Sequence, residues 1–236
     1  MNSFFSRGSD YVQSVEIIYE DEDILLCRKP AGMATQTKRL GQQDMESWLK
    51  NYRVKKGEPP YIGIVHRLDQ PVEGLMVYGK TQVATANLSK QVQQRMLGKY
   101  YYAVSAKSPE REEGVLENYL LTDKKLNHTK VVEPSASKEA KQAKLEYCVT
   151  DKRENAVVFD IKLHTGRQHQ IRVQMAHMGC PLIGDSKYGN GEKMSLGLCS
   201  YRLQFSHPRT GEAMDYRIIP QGEAFNLDNK GQIGIS

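Results

Sequence analysis

Two short stretches of the sequence concentrate side chains that can do chemistry. The first runs Ile64-Val65-His66-Arg67-Leu68-Asp69-Gln70-Pro71-Val72-Glu73-Gly74. A strand is expected to end here and deliver His66, Arg67 and Asp69 into a turn closed by Pro71 and Gly74. A lone aspartate in a turn ordinarily caps local backbone amides and does no more. The alternative is that the carboxylate acts as a nucleophile or stabilises a cation. The second stretch begins Leu163-His164-Thr165-Gly166-Arg167-Gln168-His169-Gln170-Ile171-Arg172 and continues through Gly184, Asp185 and Tyr188. Thr165 and Gly166 are expected to open a helix whose first turns carry Arg167, His169, Gln170 and Arg172. Helix N-termini attract anions, and arginine suits bidentate contact with carboxylate or phosphate. A solvated polar helix face would not explain why two Arg, two Gln and a His crowd into six residues.

The surrounding elements must present these groups. Val15–Tyr19 and Ile24–Arg28 flank an acidic turn and read as a β-hairpin. Asp44–Lys55 reads as a helix, with Met45, Trp48, Leu49 and Tyr52 on one face. Tyr61–Val65 and Leu75–Tyr78 read as strands. Thr81 is an expected N-cap for a helix to about Leu97, stopped by Gly98. Tyr100–Val104, Val115–Leu121, Ala143–Val149, Ala156–Leu163, Tyr201–Phe205 and Tyr216–Ile219 read as further strands. Gln168–Met178 reads as a helix stopped by Gly179. Residues 107–114 are expected to be a charged loop and 122–140 an exposed, mobile connection. Strands with three separated helices, and no regular βαβ alternation, imply α+β with a mixed, mostly antiparallel central sheet. The expected organisation is an arm over 1–14, one domain over 15–220 and a frayed tail over 221–236.

Several chemistries find no support. The segment Gly74-Leu-Met-Val-Tyr-Gly79-Lys80-Thr81 matches a P-loop in letters, but its central residues are strand formers rather than a phosphate-wrapping loop. The histidines are His66, His128, His164, His169, His177 and His207. No pair has metalloprotease spacing, and no cysteine stands at ligand distance, so no metal is expected. A serine hydrolase elbow is absent. Cys27, Cys148, Cys180 and Cys199 are widely spaced, which suits reduced thiols in a cytoplasm. No signal-type apolar region opens the chain and no stretch is long enough to span a membrane. With 33 basic and 28 acidic residues, the net charge of +5 is a modest excess that fits a polyanionic partner.

The two stretches resemble the RluA-type pseudouridine synthases. The matching residues are His66-Arg67-Leu68-Asp69, Gly74-Leu75 and Lys80, then Thr165–Arg172 and Ala176–Gly189. Lys29-Pro30-Ala31-Gly32 and Phe205-Ser206-His207-Pro208 with Gly211 also match, so the resemblance spans about residues 15–220. It departs at Val72-Glu73, where many members carry Thr-Ser, and an S4 RNA-binding domain is not expected. The resemblance implies a pseudouridine-synthase-like fold with a catalytic cleft across the sheet. It also implies isomerisation of uridine to pseudouridine in RNA, with ribosomal RNA, transfer RNA or both as partner. No cofactor, DNA or membrane partner is implied, and a cytoplasmic monomer is expected.

Within that resemblance Asp69 is the nucleophile, and Arg172 the basic partner that keeps it ionised and oriented. Tyr101 corresponds to the family tyrosine that stacks on the flipped uracil, although Tyr100 and Tyr102 compete for the register. Strand alternation places those two on the opposite face from Tyr101. His66, Arg67, Leu68, Arg167, His169, Gln170 and Ile171 are the expected substrate contacts, with Arg67 holding the flipped state. Lys80 and Lys187 are candidate phosphate contacts, and Lys124, Lys125, Lys130, Lys138, Lys141 and Lys144 form a second basic stretch. Two rival readings remain at this stage. One is a non-catalytic RNA-binding protein on the same fold. The other is an N-glycoside hydrolase, which would need a second carboxylate ~5 Å from Asp69, from Glu73 or Asp185.

Overall fold

A computed structural model describes residues 15–37, 39, 41–189 and 193–226. The expected arm over 1–14 and residues 227–236 of the expected tail lie outside them. In chain order the elements are β1 (Glu16–Glu20), β2 (Ile24–Lys29), α1 (Met45–Lys55), β3 (Gly63–Ile64), β4 (Glu73–Gly79) and α2 (Gln82–Gln93). There follow β5 (Gly98–Ser105), β6 (Glu113–Asp123), β7 (His128–Val132), β8 (Lys141–Arg153) and β9 (Ala156–Leu163). The last are α3 (Gln170–His177), β10 (Leu198–Ser206) and β11 (Ala213–Arg217).

All the strands join one sheet in the order β1-β2-β4-β10-β5-β9-β8-β6-β7, with β3 on β4 and β11 on β10. Among the described strands only β4 and β10 run parallel; the other pairs are antiparallel. The fold is therefore α+β with a mostly antiparallel sheet. Side chains in a strand alternate between faces, and here both faces are buried. Leu25, Cys27, Met76, Tyr78, Tyr101, Ala103, Phe159 and Ile161 pack on one face with Met45 and Leu49 of α1 and Ile171 and Met175 of α3. Their neighbours Ile24, Leu26, Leu75, Val77, Tyr102, Val104 and Val158 pack on the other with Leu88 of α2. Two-sided burial explains why β2 and β4 are continuous apolar runs. Gly74 has φ of 135°, and a Cβ there would lie 2.5 Å from the Ser200 backbone. The parallel β4–β10 pairing requires glycine at this point. Gly74 thus belongs to strand β4 and not to the turn after Asp69.

The helix starts behave as expected. Asp44 caps α1 by accepting the Ser47 N–H at 2.8 Å, and Thr81 caps α2 by accepting the Ala84 N–H at 3.1 Å. The end of α2 does not. It stops at Gln93, four residues before Leu97, because Arg95 turns left-handed at φ 59°. Met96 N–H bonds back to Gln91 and Arg95 N–H to Val92, a Schellman ending with arginine in place of glycine. Gly98 belongs instead to β5.

The largest correction concerns 122–140, expected as a mobile connection. Most of it is ordered hairpin. β6 runs on to Asp123, whose carboxylate caps a turn by accepting the Lys125 and Leu126 N–H groups, and β7 returns. Thr129 is fully buried and bonds Thr122 across the pair at 3.0 Å. Leu120, Val131 and Ala143 pack on Val173 of α3 and on Tyr188, so the hairpin covers the helix that carries Arg172. The tail correction is smaller. Ala224 and Phe225, within the expected frayed segment, are buried against the second core face. No helix among the described residues is long and apolar enough to cross a membrane.

Lys80 is also not where a phosphate contact would be. At ~3.3 Å per strand residue, β4 carries it roughly 20 Å from the Asp69 turn. There it is buried, paired with Glu20 at 2.7 Å and Glu58 at 3.0 Å. Glu20 also receives the Tyr52 hydroxyl and the Lys56 ammonium. Burial acts to raise the Glu20 carboxyl, but its Lys56, Lys80 and Tyr52 partners outweigh that and hold it down at about 2. A depressed carboxylate stabilises the fold above its unfolded pKa, and that contribution is lost as pH falls toward 2. The stability gap between wild type and Glu20→Gln is therefore expected to close between about pH 5 and pH 2, read by urea unfolding. Lys80→Met is expected to lower Tm without changing the KM for RNA.

Candidate active site

Between β3 and β4, residues 65–72 cross the first core face as a loop pinned from both sides. Thr35 Oγ1 donates to Leu68 O at 2.9 Å and accepts its N–H at 3.3 Å. Lys29, fully buried, donates to Pro30 O, Met33 O and Gln70 O at 2.9, 2.6 and 3.1 Å. Burial pushes its ammonium down to about 7, against the pull of Asp69 and Glu73. Gly32 N–H bonds Gln70 O at 2.9 Å, and Val72 N–H closes the turn on Asp69 O at 3.0 Å. Asp69 is thus fixed by bonds to the residues around it.

The second stretch folds differently from expectation. Helix α3 starts at Gln170, not at Thr165–Gly166. The Gln170 side chain takes the Thr165 hydroxyl at 2.8 Å and the Arg167 N–H at 3.0 Å, and donates to Lys144 O at 3.2 Å. It bends residues 165–169 into a loop and has little left to offer a substrate. His169 then enters the helix from a left-handed conformation, φ 53° and ψ 22°.

One helical turn brings Arg172 to the centre. Its Nε and Nη2 grip Asp185 at 2.8 and 2.7 Å, and Nη1 reaches Asp69 Oδ2 at 3.4 Å. Asp185 is buried and also accepts the Lys187 and Tyr188 N–H groups. Burial raises its carboxyl pKa, but Arg172 and those amides win and hold it low. The fork orients Arg172, and Arg172 orients Asp69. The Arg172 guanidinium also lies 5.3 Å from the Tyr188 ring centre.

Asp69 and Arg172 face a cleft of about 1200 Å³ over the sheet. Its described lining contains Arg39, Arg67, Arg95, Lys99, Arg167, Arg172 and Lys187, and one carboxylate, Asp69. Arg67 and Arg167 are exposed, and Arg167 Nε bonds Gln142 O at 3.0 Å. Leu68 and Ile171 line the cleft and are buried in the core beneath it. His66 lines it too, but its Nε2 accepts the Val77 N–H at 3.1 Å. Burial, assisted by the Lys99 charge, lowers its pKa to about 3, so the ring is neutral.

Tyr101 is the tyrosine that faces the cleft. Burial raises its phenol pKa, and the Asp69 charge adds to that. Tyr100 bonds Gln204 at 2.8 Å and lies under Arg202, while Tyr102 stacks on Tyr201 at 3.8 Å, both on the opposite face. Tyr101→Phe is expected to lower kcat with little change in KM, and Tyr102→Phe to lower Tm and leave kcat alone. Steady-state rates with thermal melts separate the two.

Sequence reasoning passed over Thr35, saw Lys99 only inside the matching stretch that carries Tyr101, and gave Tyr188 no role. Lys29 was visible only as part of a matching stretch. The expected second carboxylates fail on geometry. Asp185 is saturated by Arg172. Glu73 is buried and turns away from the cleft to accept the Gln221 and Gly222 N–H groups at 3.0 and 2.8 Å. A separate cluster of Asp21, Asp23 and His207 has ligand-like spacing. Arg209 already supplies positive charge to Asp23, and His207, Tyr19 and two amides occupy Asp21.

A family model described as RNA pseudouridylate synthase matches residues 23–177, which includes β2 to the end of α3, the first chemical stretch and the second as far as His177. The chain belongs to the RNA pseudouridylate synthase family. A Helicobacter pylori relative named an uncharacterized RNA pseudouridine synthase is 32% identical over 216 residues, covering 86% of this chain and 66% of that protein. The dual-specificity RNA pseudouridine synthase RluA of Vibrio vulnificus is 31% identical, covering 83% of this chain and 79% of that one. The chain spans just under two thirds of the length of the first of these pseudouridylate synthase relatives. Among solved structures, human RNA pseudouridylate synthase domain containing 1 superposes with a TM-score of 0.73 at 17% identity, over 92% of this chain and 86% of that one. At that identity the likeness concerns the fold.

Proposed function

We propose that this chain is an RNA pseudouridine synthase that isomerises a uridine of ribosomal or transfer RNA, with Asp69 as nucleophile and without a cofactor. The observation that carries the reading is a cleft lined, among the described residues, by seven Lys and Arg side chains and a single carboxylate, which one of the seven, the buried Arg172, holds. Basic rims track phosphates. One oriented carboxylate is what a covalent isomerisation of a base requires.

The chemistry balances within the substrate. The N1–C1′ bond breaks, the uracil turns, a C5–C1′ bond forms, the C5 hydrogen leaves as a proton and N1 takes up a proton from solvent, so no atom is gained or lost. The target must first leave its stack, which costs a few kcal/mol and least in a loop. Arg67, exposed on the rim, holds the flipped state, and Tyr101 lies under the base. His66, Leu68 and Ile171 shape the floor. Arg167 and Lys187 meet phosphates, and the protein acts as a cytoplasmic monomer with residues 15–220 as its catalytic domain.

The glycoside hydrolase reading loses its second carboxylate, since neither Glu73 nor Asp185 is offered to the cleft. Product analysis separates the readings. RNA incubated with the protein is digested to nucleosides and chromatographed. A pseudouridine peak with no free uracil is expected; free uracil would establish hydrolysis, and unchanged uridine in both ribosomal and transfer RNA would remove the catalytic reading.

A further inference from the structure

His169 stands beside Asp69 in a setting that the Asp69–Arg172 pair does not explain. Its backbone is left-handed, where side chains with a Cβ are uncommon. Its ring sits between two partners: Nδ1 is 2.8 Å from the Tyr188 hydroxyl, and Nε2 is 4.0 Å from Asp69 Oδ2. The left-handed turn of the backbone accompanies a ring aimed back at the nucleophile's carboxylate.

The bonding around Tyr188 assigns the ring hydrogens. The Tyr188 oxygen accepts the Thr129 N–H at 2.9 Å. An oxygen that already accepts one N–H is placed to give its own hydrogen to His169 Nδ1, which is the direction proposed here. Nδ1 is then unprotonated, and a neutral imidazole carries its hydrogen on Nε2. Burial lowers the ring's pKa, helped by the Arg172 and Lys187 charges and against the pull of Asp69. Thr129 belongs to β7, so the hairpin beside the cleft helps set this tautomer.

Asp69 Oδ2 is thereby approached by two donors, His169 Nε2–H and Arg172 Nη1 at 3.4 Å. Among the described residues no hydrogen bond is made to Oδ1. We propose that His169 is a positioning residue for the nucleophile: its Nε2–H, aimed by Tyr188, joins Arg172 in holding Asp69 Oδ2 and leaves Oδ1 as the attacking atom. The proposal rests on Asp69 being the nucleophile of the isomerase proposed above. At 4.0 Å the bond is not closed, and catalytic hydrogen bonds commonly tighten only when substrate is bound.

The test has one arm without RNA and one with it. Protein labelled with ¹⁵N-histidine is examined by long-range ¹H–¹⁵N correlation at neutral pH. His169 is expected to show an unprotonated Nδ1 and a protonated Nε2, and Tyr188→Phe to mix the two tautomers. A protonated Nδ1 in wild type overturns the proposal. In the second arm, His169→Gln keeps an N–H donor near the Nε2 position, while His169→Asn suits the left-handed backbone but does not reach. The Gln variant is expected to keep near-wild-type kcat, and the Asn variant to lose roughly tenfold with KM unchanged. Equal rates for both, or a better Asn variant, would show that only the backbone matters and overturn the role. An inactive wild type with the expected tautomer would instead overturn the isomerase reading and, with it, the role assigned to His169.

Discussion

Replacing Asp69 by Asn is expected to lower pseudouridine formation by roughly 10⁴-fold or more, the scale seen when an enzyme loses its nucleophile. RNA affinity should hold or rise slightly, because the described lining of the cleft loses its one carboxylate and keeps its seven cations. The fold should survive. Asp69 is partly exposed, and its loop is pinned by Thr35 and Lys29 through backbone carbonyls rather than through the carboxylate. Single-turnover rates and an RNA-binding isotherm on the same preparation check both halves. A variant that binds RNA poorly as well as reacting slowly would place Asp69 in recognition instead.

Arg172→Met is expected to damage stability as much as chemistry. The guanidinium is nearly fully buried and makes both bonds that neutralise Asp185. Removing one partner of a buried ion pair typically costs about 3–5 kcal/mol, because the remaining charge has no solvent to turn to. Two amides still bond Asp185, which places the expected loss at the lower end, about 3 kcal/mol. Arg172→Lys is expected to retain charge and lose the two-pronged grip, since an ammonium cannot reproduce the planar fork. Its kcat should fall further than its stability. Urea unfolding beside kinetics reads the two effects, and a kcat that tracks the folded fraction alone would reduce Arg172 to a structural residue.

Much of this was legible in the sequence because the relevant signals are local. The apolar runs of β2 and β4 report a strand buried on both faces, and alternation separates Tyr101 from its two neighbours, while the family resemblance is what picked Tyr101 for the cleft. Asp44 and Thr81 announce the starts of α1 and α2. What escaped depends on contacts between distant segments. Strand β7 looks like a polar linker because Thr129 and Val131 alternate with the exposed His128 and Lys130, and Thr129 is satisfied by Tyr188, far along the chain. Lys80 sits in a matching stretch beside Asp69 in sequence, yet an extended strand separates the two in space. No residue preference marks Arg95 as left-handed, and the mild preference of histidine for that region is too weak to have marked His169. The pinning of the Asp69 loop by Lys29 and Thr35 joins residues more than thirty positions apart.

The most direct test of Asp69-dependent isomerisation is tritium release from RNA labelled at carbon 5 of uridine, with wild type and Asp69→Asn side by side. Joining C5 to the sugar must expel the hydrogen there. Wild type is expected to release tritium to water from ribosomal or transfer RNA, and Asp69→Asn to release none above background. Equal release by both proteins, or none from either RNA with folded wild type, would contradict it.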